Sequence, residues 1–190
     1  TGEEKRLTED GSATIYNGRC GWVYEEELGL GRAWEWSPDG RTIAFLQQDE
    51  TAVPEVLLPR YELPHSEPLL TRYPKAGDPN PTVRLGLVDV ATSEVRWANL
   101  TSLTGTPPEE HYIAHLQWTP EGGEVLVQYL PRLQNRLTLV GVDRSNLSVR
   151  RVLEETDEAW VDHVGKLDFV GTTERFVWPS ERDGRRHLYL

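Results

Sequence analysis

AWEWSPDGRTIAFLQQ at 33–48 and HLQWTPEGGEVLVQYL at 115–130 are two versions of one pattern. Each opens on a Trp, passes Ser or Thr, Pro, an acid and Gly, and continues into an alternating apolar run. Apolar alternation with period two is the signature of a half-buried strand, and Pro-acid-Gly is tight-turn chemistry. KLDFVGTTERFVWPSERDG at 166–184 is a weaker third copy with Phe169 in place of the Trp. Recurrence at this spacing is the mark of a repeat architecture.

Further strands follow each opening. RTIAFLQQ at 41–48, RLGLVDV at 84–90, EVRWANL at 94–100, EVLVQYL at 124–130, RLTLVGVD at 136–143 and SVRRVLEE at 148–155 are short apolar or alternating runs that read as strands. Between them lie PDG, ATSE, EGG, DRSN and RDG, which suit hairpin turns. Each unit therefore holds four antiparallel strands, and such units arranged radially are propeller blades. The alternative is a sandwich of unrelated hairpins; the repeated aromatic, Pro, acid and Gly favour the propeller. The expected class is all-β, a partial β-propeller of four-stranded antiparallel blades.

Residues 1–32 read as the end of one blade plus an acidic short-helix segment, with EEKRLT at 3–8 as a closing strand. Residues 33–100 and 111–155 read as complete blades, and 164–190 as an incomplete one. A closed ring takes at least ~4 blades, so the chain is expected to be a piece of a larger ring with open strand edges. Such edges pair with other chains, and self-association of the isolated piece is expected. The first blade carries a proline-rich insertion at 49–81, read as an ordered, extended excursion or lid rather than a helix.

Composition narrows the partners. The 190 residues hold 20 Lys and Arg against 31 Asp and Glu, a net charge of −11. Phosphate backbones repel such a surface, so nucleic acid is excluded as a first guess. The basic run RDGRR at 182–186 is explained equally well as a turn. No apolar run approaches the ~18 residues of a membrane span. Cys20 is the single cysteine, so no disulfide forms within the chain and no cofactor or metal is implied. The charged start TGEEKRLTEDG has no signal-peptide core, and methionine is absent throughout, which reads as a segment of a longer protein.

Several segments resemble one family. IYNGRCGWVYEEE at 15–27, WSPDGRTIAFLQQDETAVPE at 36–55, YPKAGDPNPTVRLGLVD at 73–89, QNRLTLV at 134–140 and SERDGRRHLYL at 180–190 are similar to the amino-terminal propeller of dipeptidyl peptidase IV-like serine peptidases. The resemblance covers essentially the whole chain in the same order. It implies a parent in which the propeller stands over a C-terminal α/β-hydrolase domain with a Ser-Asp-His triad. That parent would release N-terminal dipeptides after proline or alanine. No G-x-S-x-G nucleophile elbow is present here, and Ser12, Ser37 and Ser180 have the wrong neighbours, so the chain alone is expected to be inactive.

The resemblance also implies that Glu26 and Glu27 bind the ammonium of peptide substrates with a free N-terminus. The chemistry agrees: an α-amino group with a pKa of ~8 is a cation with three donors, and two carboxylates accept charge-assisted bonds from it. Fixing the ammonium at a set distance from a nucleophile counts residues. Adjacent residues on a straight helix point about 100° apart, so a short or distorted turn is required, and Gly29 and Gly31 would end it. Glu25 is expected to be structural, with Trp22 and Tyr24 supporting the segment. The alternative reading is a non-catalytic propeller that serves as a protein-interaction scaffold.

The remaining motifs are weak. His111 and His115 form H-x-x-x-H, an i, i+4 pair expected on one face of a strand, with no third ligand nearby. His65 and His187 read as surface or turn residues. Asn99-Leu-Thr and Asn146-Leu-Ser fit glycosylation sequons, while Asn80-Pro-Thr is excluded by its proline. WVDHVGKLDF at 160–169 stands where the family often supplies an arginine and an aromatic to the substrate pocket, and lacks that pattern.

Overall fold

A computed structural model describes residues 2–62, 64, 65, 67–107 and 110–190. The chain is all-β: a partial β-propeller of antiparallel sheets that do not close into a ring among the described residues. The first sheet is built from β1 (Ile15–Asn17), β2 (Trp34–Trp36), β3 (Thr42–Asp49), β6 (Thr82–Asp89) and β7 (Val95–Trp97). β1 and β2 share one edge of β3, so the sheet has four strand positions. A one-turn helix, α1 (Trp22–Glu26), lies between β1 and β2. The second sheet runs β8 (His111–Trp118), β9 (Glu124–Pro131), β10 (Arg136–Asp143) and β11 (Val149–Thr156) in simple up-and-down order. A short helix, α2 (Thr101–Thr104), leads into it. The third sheet is β12 (Asp168–Phe169), β13 (Phe176–Ser180) and β14 (His187–Tyr189).

The repeat is visible in the register. Trp36 pairs with Ile43 in the first sheet and Trp118 with Val125 in the second, an offset of 118 − 36 = 125 − 43 = 82. The turns match as well. Ser37 N–H donates to Thr42 O at 2.8 Å and Gly40 N–H to Ser37 O at 2.9 Å, and the same bonds recur as Thr119 to Glu124 at 3.0 Å and Gly122 to Thr119 at 2.9 Å. Gly40 and Gly122 take φ of 67° and 72°, the left-handed region where a side chain costs energy, so the pattern ends in glycine at both. The weaker copy keeps both bonds, Val170 to Arg175 at 2.8 Å and Thr173 to Val170 at 3.2 Å.

Neighbouring sheets are locked by polar bridges as well as by apolar burial. Trp118 Nε1 donates to Glu35 O at 3.0 Å, and Arg144 bonds both Asp39 Oδ2 at 2.9 Å and Thr42 Oγ1 at 3.1 Å. The Arg144 guanidinium and the Ser37 hydroxyl hold the Asp39 carboxyl well below the usual carboxylate range. Arg96 caps the next turn by donating to Arg144 O and Ser145 O.

Two expectations change on the structure and one gains detail. Residues 3–8 form no strand, because no strand lies beside them among the described residues to pair their backbone; Lys5 Nζ instead donates to Val90 O and Ala91 O. The proline-rich insertion contains a two-stranded hairpin, β4 (Glu55–Arg60) and β5 (Glu67–Arg72), with Pro59 opposite Pro68. The histidine pair is divided. Ile113 pairs with Tyr129 but His115 pairs with Gln128, so a β-bulge at Ala114 inverts the alternation and sends His111 and His115 to opposite faces. Among the described residues no cluster of His, Cys, Asp and Glu could hold a metal ion, and no helix is long and apolar enough to cross a membrane.

Candidate functional site

The first sheet's edge strand is interrupted at one point. Gly18 N–H donates to Leu46 O at 2.9 Å, and Leu46 N–H donates to Ala33 O at 2.8 Å. Residues 18–33 therefore leave and rejoin the strand at a single residue of β3. Adding the offset of 82 to Leu46 gives Gln128, the partner of His115 beside the Ala114 bulge. One blade sets two residues, Ala114 and His115, against Gln128 where its neighbour sets sixteen (33 − 18 + 1) against Leu46. Bulges mark places where a sheet re-aims its side chains, and the excursion enlarges such a place into a platform.

A helix of five residues is far too short to persist alone, so packing must hold α1. Tyr24 is the pin: it is fully buried, and its hydroxyl accepts the Ile113 N–H at 3.4 Å, next to the bulge. Burial pushes the Tyr24 phenol up, so it stays neutral. Val23, Leu28 and Leu30 bury beside it. Trp22 rests on Tyr73 with ring centroids 4.3 Å apart. Tyr73 belongs to YPKAGDPNP, and Asn80 of the same segment donates to the Tyr112 hydroxyl at 2.6 Å, with Tyr112 in turn 6.4 Å from the Tyr24 ring. The two most distinctive sequence motifs thus meet at one support.

The helix ends where the acids stand. Glu26 is its last residue, and Glu27 follows as the cap with φ −88° and ψ −33°. Gly29 then turns left-handed at φ 62°, and Leu30 N–H donates back to Tyr24 O at 2.8 Å. Glu25, Glu26 and Glu27 are all exposed, and none of their carboxylates takes a hydrogen bond or ion pair among the described residues. Three adjacent unpaired carboxylates at a helix C-terminus, whose dipole favours cations, form an acceptor-only surface of one sign. Such a surface suits a cationic donor.

The N-terminal end of α1 is seated by residues that carried no signal in the sequence. Gly21 N–H donates to the buried Gln48 Oε1 at 2.8 Å, and the Glu50 carboxylate lies against Gly21. Nothing in an alternating strand announces that one of its polar residues, Gln48, and the residue just after it, Glu50, hold a helix. Cys20, beside them, is buried, and burial together with Glu25 pushes its thiol up to about 12, so it is unreactive at neutral pH. Ser37 and Ser180 serve turns, bonding Asp39 and Arg182. A polar cleft of about 750 Å³ lined by Trp160, Asp162, His163, Arg182 and Arg186 lies elsewhere and does not include Glu26 or Glu27.

The family model described as "Dipeptidyl peptidase IV (DPP IV) N-terminal region" matches residues 1–190. Dipeptidyl peptidase 4 of Trichophyton rubrum is 32% identical over 202 residues, covering 100% of this chain and 26% of that protein. The crystal structure of Porphyromonas gingivalis dipeptidyl peptidase 4 superposes with a TM-score of 0.86 at 34% identity, over 96% of this chain and 26% of that one. A putative dipeptidyl aminopeptidase IV from Bacteroides ovatus gives 0.83 at 26% identity over 97% of this chain. The chain spans about a quarter of the length of these relatives.

Proposed function

Because the chain belongs to the dipeptidyl peptidase IV N-terminal region family, we propose that it supplies the N-terminus anchor of a serine exopeptidase that releases Xaa-Pro and Xaa-Ala dipeptides. In this reading Glu26 and Glu27 hold the substrate ammonium, and the cutting chemistry belongs to an α/β-hydrolase domain of the same parent chain. The observation that carries the reading is the set of exposed, unpaired carboxylates on a helix clamped by Tyr24 and Trp22. A carboxylate kept free of intramolecular partners on a rigid seat is ready to bond a ligand without first breaking a bond of its own.

The magnitude is adequate for selection. Each hydrogen bond between charged groups contributes about 1.5–3 kcal/mol. Two such bonds favour a free ammonium over a blocked terminus by about 3–6 kcal/mol, or roughly 10²–10⁴-fold at ~1.4 kcal/mol per decade. A lysine side chain or an acetylated terminus places no cation at this point. Holding the ammonium fixes where the second peptide bond falls, and cleavage after two residues follows.

The test uses the full-length parent. Changing Glu26 and Glu27 together to Ala lowers kcat/KM for an Xaa-Pro anilide by roughly 10²-fold or more, while Glu25→Ala changes it less than about threefold, as an exposed charge outside the bonding pair should. A wild-type specificity constant in the double variant refutes the assignment.

A further inference from the structure

Glu50 is an unusual residue to find beneath this helix. It follows the last residue of β3 and is only 5% exposed. Its backbone is fixed on both sides: the N–H donates to Thr14 O at 2.8 Å, and the carbonyl accepts Val53 N–H at 2.9 Å and Arg72 Nη1 at 3.3 Å. Tyr16, Arg72 and Arg19 act on the carboxylate, and Gly21 lies against it. A Cβ built on Gly21 falls 1.9 Å from Glu50 Oε1 and 3.1 Å from its Cδ. Residue 21 has φ −91° and ψ 177°, a conformation open to any residue. Any side chain at residue 21 must therefore displace the Glu50 carboxylate, and it is this space, not the backbone, that favours glycine.

The geometry points to Glu50 as a positioning residue of the ammonium anchor: its side chain fills the place of the one Gly21 lacks and, with Gln48, sets the seat from which α1 presents Glu26 and Glu27. The inference rests on the proposed role of that pair. Gly21 is the N-cap of α1, and the two glutamates stand at the other end of the same turn. The helix rests on three points: Gln48 and Glu50 at Gly21, Tyr73 under Trp22, and the buried Tyr24. Emptying the first lets the turn tilt about the other two.

Glu50 also borders an open space. A cavity of about 340 Å³ opens beside it, lined by Tyr16, Arg19, Glu25, Glu55 and Arg72. Arg72 ties the cavity wall to the hairpin base by donating to Val53 O at 2.7 Å and pairing with Glu55 at 3.1 Å. Glu50 touches no substrate in this account. It acts through the helix.

The experiment is a mutant cycle in the full-length parent, with kcat/KM for an Xaa-Pro anilide as the readout. Glu50→Ala, which removes the Glu50 half of the seat and leaves the Gln48 bond, lowers kcat/KM about tenfold, within the loss that a displacement of order 1 Å produces. Glu50→Gln keeps the shape and stays within about twofold of wild type. In a Glu26→Gln background, where the anchor is already weakened, Glu50→Ala costs less than about threefold, because residues acting as a unit are not additive. An equal tenfold loss in both backgrounds shows a merely structural role and overturns the inference. So does a Glu50→Ala enzyme with wild-type kcat/KM. If Glu26→Gln itself leaves kcat/KM unchanged, the anchor reading fails first and this inference falls with it.

Discussion

Gly21→Ala is the substitution on which simple rules and this structure disagree in sign. Replacing glycine by alanine at an accessible φ normally stabilises a chain by about 0.4–1 kcal/mol, through the unfolded state. Gly21 has such a φ, −91°. The added methyl, however, starts 1.9 Å from Glu50 Oε1 and must reach at least 3.0 Å, a displacement of 3.0 − 1.9 = 1.1 Å. Overpacking of this kind costs about 1–3 kcal/mol. For a chain of this length that is a fall in Tm of roughly 2–12 °C. The assay is thermal unfolding of Gly21→Ala, Glu50→Ala and the double variant, followed by tryptophan fluorescence. The methyl that Gly21→Ala adds fits the space that Glu50→Ala vacates, so the double variant is expected to be more stable than the summed singles by ~1 kcal/mol or more. A Gly21→Ala variant at or above wild-type Tm refutes the reasoning, and so does an additive double variant. Gly29→Ala serves as a contrast: nothing lies within 4 Å of its built Cβ, and only the left-handed φ of 62° opposes it, a cost of about 1–2 kcal/mol that Glu50→Ala leaves unrelieved.

Other outcomes follow from the same geometry. Tyr24→Ala removes a fully buried ring and is expected to lower stability by about 3–5 kcal/mol, read by chemical denaturation, with loss of activity in the parent. Burial raises the Glu50 carboxyl above its usual range, against the opposing Tyr16, Arg72 and Arg19. The folded state then binds the proton more tightly than the unfolded one, so wild-type stability falls as pH climbs from the unfolded value of ~4.3 through the raised one. Glu50→Gln lacks this loss, and its Tm advantage over wild type should grow across that window and then level off; a constant difference refutes the direction. In the second sheet β11 pairs with β10 alone among the described residues, and the isolated chain is expected to self-associate through such open edges. A monodisperse monomer by light scattering at high concentration contradicts this.

What the sequence disclosed was whatever repeats or alternates. The Trp-to-Gly openings are legible because the same turn needs the same φ at Gly40 and Gly122, and β9, β10 and β11 are strand-like runs bounded by turn residues that can be drawn in advance. The division of His111 from His115 was not legible, because one extra residue at Ala114 inverts the alternation and leaves no mark in composition. The hairpin β4–β5 was hidden by its prolines, which argue against a central strand but are tolerated where both strands have an open side. At the site, the acids were evident as a charge run, and their ammonium-binding role came from resemblance and chemistry. The seat was not evident, since Gln48, Glu50 and Gly21 are joined only by contacts across 27 or more residues of chain. Glu50 in particular sits in a polar stretch, QQDET, that gives no hint of burial.

The most direct test of the central claim changes the substrate and the protein together. In the full-length parent, kcat/KM is measured for an Xaa-Pro anilide and for its des-amino counterpart, first with wild type and then with Glu26→Ala/Glu27→Ala. Wild type is expected to favour the free ammonium by roughly 10²-fold or more, and the variant by less than about tenfold, since the partners of the ammonium are gone. An undiminished preference in the variant would contradict the account and place the anchor on other residues.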